Sequence, residues 1–251
     1  MASLERWRSA QTYEQAYWQK RADRIADGSA HQMDWYGWKA AEMERRLAPH
    51  ASAHPKQTAK ILEIGSGPIG IVSFLKWGER YTLDPLENFY KSNAALCHLR
   101  DTGVHYGQGT GEQIPFDDGT FSLVILDNVL DHVHQASGVL EDIHRVLASD
   151  GILYLVVNVH PPWGGFLHTI LSRLKIDRGH PYTFTVARIR AFIARHRFHI
   201  RADDCEDYLH ARHKDRTSPS LKDKLKGYSG LSEFIYYSVS TKSPSPYEGG
   251  R

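Results

Sequence analysis

Apolar residues recur at intervals of three and four across the first 48 positions. Trp7, Tyr13, Tyr17, Trp18 and Ile25 come first, then Trp35, Trp38, Met43 and Leu47, with Arg, Glu and Lys between them. This spacing predicts helix, and Asp27-Gly28-Ser29 predicts a turn that splits it in two. Four of the six tryptophans fall before residue 40, so the segment either packs a hydrophobic face on a core or forms a lid over a ligand. Pro49–Lys60 reads as a polar, proline-marked linker. Beyond it come short β-rich runs: Ile61–Ile64, Tyr81–Leu83, Val104–Tyr106, Leu123–Leu126 and Ile152–Val157. They alternate with the amphipathic stretches Ile69–Trp77, Phe89–Leu99 and Ser137–Leu147, which predicts βαβ units and a parallel sheet. Asp150-Gly151 is expected to close the last of these helices and launch the next strand. Thr183–His196 is a further predicted helix, and Phe198–Ile200 and Phe234–Val239 are the last strands. The long charged connection between those two strands permits an antiparallel final strand.

Composition narrows the classes. Lys and Arg number 31 against 29 Asp and Glu in 251 residues, so the general basic field of a nucleic-acid binder is missing and no nucleic-acid partner is expected. At 41% hydrophobic and 24% charged, the chain has globular rather than disordered proportions. Its apolar runs fall well short of the ~18 residues a membrane helix needs, and the polar N-terminus lacks a signal-peptide core. Cys97 and Cys205 are too few for a disulfide framework or a thiolate zinc site, and a cytoplasmic location is expected. Histidine, at 15 residues, is abundant.

The sharpest local signal is Ile61-Leu62-Glu63-Ile64-Gly65-Ser66-Gly67-Pro68-Ile69-Gly70, a strand running into Gly-x-Gly-x-x-Gly. Glycines there allow a tight turn and close approach of a ligand to the backbone. Dinucleotide enzymes share the pattern, but Pro68 contributes no amide to a pyrophosphate cradle, and Glu63 suits a cationic ligand better than a diphosphate. Asp84 ends the second predicted strand, where a carboxylate can accept both hydroxyl protons of a ribose.

Together with Gly109-Thr110-Gly111-Glu112-Gln113-Ile114-Pro115-Phe116 and the following Asp117-Asp118-Gly119-Thr120-Phe121-Ser122-Leu123-Val124, this stretch resembles the class I S-adenosylmethionine-dependent methyltransferases from about Lys60 to Val159. The resemblance implies an α/β fold, a Rossmann-like, seven-stranded, mostly parallel sheet with helices on both faces. To this the helical pattern adds an N-terminal cap at 1–48. The methyltransferase domain would span 49–242, with a substrate-side loop segment at 159–182, and a flexible tail would occupy 243–251. By the same resemblance, Glu63 and the Gly65-Ser66-Gly67 loop would hold the methionine end of S-adenosylmethionine, and Asp84 the ribose. Thr110, Gly111 and Glu112 would line the adenine, with Thr110 standing where this subgroup commonly has an Asp. Asp127 would face the amino group and the methyl, and Asn128 is a further candidate cofactor contact.

Methyl transfer to a hydroxyl requires a base, and a neutral imidazole is well suited. His132 is the first candidate, with Asp131 or Asp127 to orient it, and His160 and His180 follow. Trp163 and Tyr182, in loops on the expected ligand side, and Trp35 and Tyr36 are the candidate acceptor contacts. Asp131, His132, His134 and His160 are metal-ligand types, but the two-residue spacing of His132 and His134 turns their rings apart, so no metal is expected. The expected activity is methylation of a small-molecule acceptor, most simply at oxygen. The alternatives are a nucleic-acid methyltransferase and a non-catalytic protein that binds the cofactor or its product, S-adenosylhomocysteine.

Overall fold

The computed structural model describes residues 3–29, 33–53, 58–173 and 182–243, with the backbone alone at 51–53 and 169–173. Its strands are β1 (Lys60–Ile64), β2 (Glu79–Asp84), β3 (Val104–Gln108), β4 (Phe121–Asp127), β5 (Leu147–Val159), β6 (Phe198–Cys205) and β7 (Phe234–Lys242). They form one sheet in the order β3-β2-β1-β4-β5-β7-β6. β1 to β5 pair in parallel, and β7 runs antiparallel between β5 and β6. The order reverses between β1 and β4, and open α/β sheets hold ligands outside the carboxyl ends of the strands at such a reversal.

Both faces of the sheet are apolar, as a parallel sheet covered by helices requires. Successive side chains of a strand point to opposite faces. Leu62, Ile64, Val124, Leu126, Leu153, Leu155 and Val157 join one buried cluster, while Ile61, Leu123, Ile125, Ile152, Tyr154 and Val156 join the other. Two helices cover the first face, α5 (Ala136–Val146) through Val139, Leu140 and Ile143, and α7 (Val186–Arg195) through Ile189 and Ile193. The second face takes the N-terminal helices, α1 (Leu4–Ala26) through Trp18 and Ala22, and α2 (Trp35–Leu47) through Tyr36, Ala40, Met43 and Leu47. The aromatic-rich N-terminus therefore packs on the core, and it also reaches the ligand side.

Several expected elements take another form. The helix expected over Ile69–Trp77 shrinks to one 3₁₀ turn, Ile71–Phe74, between Gly70 (φ 82°, ψ 152°) and an extended Leu75. The helix expected over Phe89–Leu99 divides into α3 (Glu87–Ser92) and α4 (Ala94–Cys97), because Asn93 is extended and its side chain accepts the Ala95 N–H. Asp150-Gly151 lies inside β5, where a Cβ at Gly151 would meet the Phe121 carbonyl at 3.0 Å, so the glycine allows close strand approach rather than a turn. Half of the expected 159–182 loop is α6 (Pro162–Arg173). The charged connection before β7 holds α8 (Tyr208–Thr217) and α9 (Leu221–Ser229), started by the Asp207 and Ser220 side chains, which accept the Leu209 and Asp223 N–H groups.

Candidate active site

The loop after β1 is fixed from four sides. The Gly65 N–H donates to the Leu83 carbonyl at 2.8 Å. The Gly67 N–H donates to Asp84 Oδ2 at 2.9 Å. From α2, the Tyr36 hydroxyl donates to the Ser66 carbonyl at 3.1 Å. Arg100 Nε donates to the Pro68 carbonyl at 2.8 Å while its other nitrogens pair with both Glu87 oxygens at 2.7 and 2.8 Å. The glycines are required by space as well as by φ. A Cβ at Gly65 (φ +65°) would lie 2.5 Å from Val129 Cγ2, and one at Gly67 (φ +62°) 2.7 Å from the Tyr36 hydroxyl.

Two adjoining cavities open beside this loop. The first, with about 520 Å³ of open space, is lined by Asp84, Pro85, Thr110, Gly111, Glu112 and Val129 under Trp7 and Gln11 of α1. The second, wider at about 1250 Å³, is lined by Glu63, Ser66, Gly67, Asp127, Tyr13, Tyr17, Trp35, Tyr36 and Lys39. Glu14, Gly65, Asn128 and His132 line both and so mark their junction.

The electrostatics favour a cation. Burial pushes the Glu63 carboxyl up to about 8, against the pull of the Val72 and Ile71 N–H groups, and pushes Asp84 up to about 7, with Glu14 adding to the rise. Asp127 is also raised by burial, and Lys39 of α2 counters this with its ammonium 3.0 Å from Asp127 Oδ2. Among the described residues, the Lys39 ammonium is the cation beside the buried Glu63 and Asp127, and a positively charged ligand would stabilise their ionised forms further.

The residues present fit S-adenosylmethionine. Asp84 Oδ1 and Oδ2 each accept one backbone N–H, from Leu86 and Gly67, which leaves carboxylate lone pairs for a ribose diol. Asn128, held at φ 57°, keeps its side-chain Oδ1 buried without a hydrogen-bond partner at the junction, an acceptor awaiting a donor.

The expected site residues do not all converge. Glu63, Gly65, Ser66, Gly67, Asp84, Thr110, Gly111, Glu112, Asp127, Asn128, His132, Trp35 and Tyr36 line one cavity or both. Glu112 nevertheless spends one carboxylate oxygen on the His134 and Gln135 N–H groups, at 3.1 and 3.0 Å, at the start of α5. His132 Nε2 lies 3.7 Å from Oδ1 of the buried Asp131. His160 lines neither cavity; it is buried, with its ring stacked on His168. Trp163 lines neither cavity and is 62% exposed on α6. Tyr182 is likewise absent from both linings, and its hydroxyl donates to the His134 carbonyl at 2.7 Å. His180 lies outside the described residues. Lys39 and Glu14 were not anticipated, although the spacing held a signal. Trp7, Gln11, Glu14 and Trp18 fall on one helical stripe, and Lys39 follows Trp35 by four.

Comparison with known proteins agrees with this geometry. Residues 62–155 match the family model described as a methyltransferase domain. Among solved structures, the fold is similar to geranyl diphosphate methyltransferase in complex with S-adenosylmethionine (TM-score 0.63, 14% identity, 88% of this chain and 90% of that one). It is similar also to geranyl diphosphate C-methyltransferase from Streptomyces coelicolor A3(2) (0.61, 13%, 80% and 76%) and to the YcgJ protein from Bacillus subtilis (0.56, 16%, 80% and 100%). The fold, the glycine cradle and the matched domain define a class I methyltransferase, a class whose methyl donor is S-adenosylmethionine.

Proposed function

We propose that the protein methylates an oxygen of a small-molecule acceptor, with His132 as the base. The observation that supports this reading is the position of His132, which lines both cavities and stands beside the buried Asp131 carboxylate. Bound S-adenosylmethionine would supply an electrophilic methyl on a sulfonium. Asp84 would hold the ribose hydroxyls and Thr110 and Gly111 would line the adenine. Glu63, Asp127 and the orphan Asn128 oxygen would face the cationic end. The acceptor would enter the wider cavity past Tyr13, Tyr17 and Trp35, whose rings suit an apolar or aromatic body. His132 in its neutral form would take the hydroxyl proton as the carbon–oxygen bond forms, and Asp131 would stabilise the resulting imidazolium. The small-molecule scale agrees with the two geranyl diphosphate enzymes that share the fold.

The first test is calorimetry with S-adenosylmethionine, S-adenosylhomocysteine and NAD on the wild type and on Asp84→Asn. Binding of the first two, weakened at least tenfold in the variant, is expected. Binding of NAD instead would overturn the cofactor assignment. A screen of hydroxyl and amine acceptors then follows, and turnover of amines alone would overturn the oxygen acceptor.

A further inference from the structure

We infer that His160, His168 and Glu233 form a binding site for one divalent transition-metal ion of the zinc class, which ties α6 to the ends of the neighbouring strands β5 and β7. One ligand atom from each of the three side chains lies within 4.8 Å of the others. They come from three separate places: the residue after β5, the middle of α6 and the residue before β7. His160 Nε2 stands 3.6 Å from Glu233 Oε1, and the two imidazoles stack at 4.5 Å between centroids with planes 26° apart. Both histidines are buried.

Each ligand is prepared by its surroundings in the way metal ligands usually are. His168 uses Nδ1 in a 2.8 Å contact with the Thr183 hydroxyl, which directs Nε2 to the other side of the ring. Glu233 meets the Lys226 ammonium through Oε2 at 3.3 Å, which leaves Oε1 on the histidine side. His160 has its backbone N–H tied to the Phe184 carbonyl at 2.9 Å, while its Nδ1 is buried without a hydrogen-bond partner.

Two imidazoles and one carboxylate favour zinc, cobalt or nickel over magnesium and calcium, which prefer oxygen alone. Coordination requires the ligand atoms to close to roughly 3.3 Å of one another, the edge of a tetrahedron with bonds of about 2.0–2.1 Å. Side-chain rotations of His168 and Glu233 would have to supply that movement. The three residues line neither of the two cavities that hold the methyltransferase residues, so the ion would organise structure, with water in its fourth position.

The test uses the full-length, untagged protein, stripped with a chelator and titrated with Co2+ and then Zn2+. Expected are one ion per chain, the visible absorption of four- or five-coordinate Co2+, its displacement by Zn2+ but not by excess Mg2+, and a higher Tm with metal. His168→Ala and Glu233→Gln should each weaken Co2+ binding at least tenfold, and Thr183→Val less. His132→Ala should bind Co2+ as the wild type does, which separates this site from the proposed catalytic one. A wild type that binds no ion, several ions or only octahedral Co2+ overturns the inference, as do His168→Ala and Glu233→Gln proteins that bind normally. Should those variants fail to fold, the wild-type titration decides alone. Calorimetry with S-adenosylmethionine on the same metal-free protein tests the methyltransferase reading separately.

Discussion

Lys39 Nζ lies 3.0 Å from Asp127 Oδ2 and joins α2 to the carboxyl end of β4 across the wider cavity. The lysine side chain is 31% exposed and the aspartate 8%, so the pair is only partly shielded from water. Removing the lysine leaves a buried carboxylate with no neighbouring cation among the described residues. Lys39→Met is expected to cost on the order of 1–3 kcal/mol, below the full price of breaking a fully buried pair because solvent screens part of it. S-adenosylmethionine, itself cationic, should restore more of the Tm in this variant than it adds to the wild type. Thermal melts with and without the ligand check this, and equal shifts in the two proteins would count against the cavity as the cationic end of the cofactor site.

Gly65 and Gly28 separate conformational strain from crowding. Both have positive φ, +65° and +76°, but an added Cβ at Gly28 meets nothing within 4 Å, whereas at Gly65 it meets two Val129 methyls at 2.5 and 2.9 Å. Gly28→Ala is expected to cost about 1–2 kcal/mol, the left-handed penalty alone. Gly65→Ala should cost a further ~1–3 kcal/mol from overpacking and should also weaken cofactor binding, because the loop must move. Urea denaturation of both variants, with calorimetry on each, distinguishes the two effects.

The positions of the strands and the glycine loop were legible because they depend on local pattern. Short apolar β-rich runs, the glycine loop and a carboxylate ending the second strand each act within a few residues. The first helix of the alternation was not legible, because Ile69–Trp77 has helical spacing, yet Glu63 takes the Val72 N–H and the chain is extended on both sides of a single turn. Likewise α8 has no buried residue, so no apolar stripe marked it, and only its Asp207 cap did. Lys39, His168 and Glu233 gain their meaning from partners 88, 8 and 73 positions away (Asp127 and, for the last two, His160), which no local spacing encodes. His160 was read as a second candidate base, and its imidazole stacks on His168 and lies 3.6 Å from Glu233.

Glu63 and Asp84 give the ligand-free protein a definite pH dependence. Burial raises them from the usual carboxylate range to about 8 and about 7, so between roughly pH 4 and 8 the folded state holds more protons than the unfolded one. Stability is therefore greatest at the acid end of that window and falls as pH rises through the folded values. A cationic ligand binds the ionised carboxylates, so its binding should release protons and tighten by on the order of tenfold from pH 6 to pH 8. Calorimetry in buffers of different ionisation enthalpy measures the released protons. Proton uptake, or affinity that falls with pH, would contradict the placement of the cationic end near these groups.

His132 is where the chemistry is most open to a direct test. It lines both cavities and lies 3.7 Å from Asp131, so a base at this position should affect turnover and hardly affect donor binding. His132→Ala and His132→Asn are expected to lower kcat about 10²–10⁴-fold, the usual contribution of a general base, with S-adenosylmethionine affinity within a few-fold of wild type. Asp131→Asn should lower kcat less, since it removes the partner of the imidazolium and leaves the base. An acceptor whose nitrogen is already unprotonated needs no base, so with such an amine the His132 variants should lose little. The comparison of a hydroxyl and an amine acceptor on the same variants therefore separates a base from a side chain that only shapes the cavity, which would slow both alike.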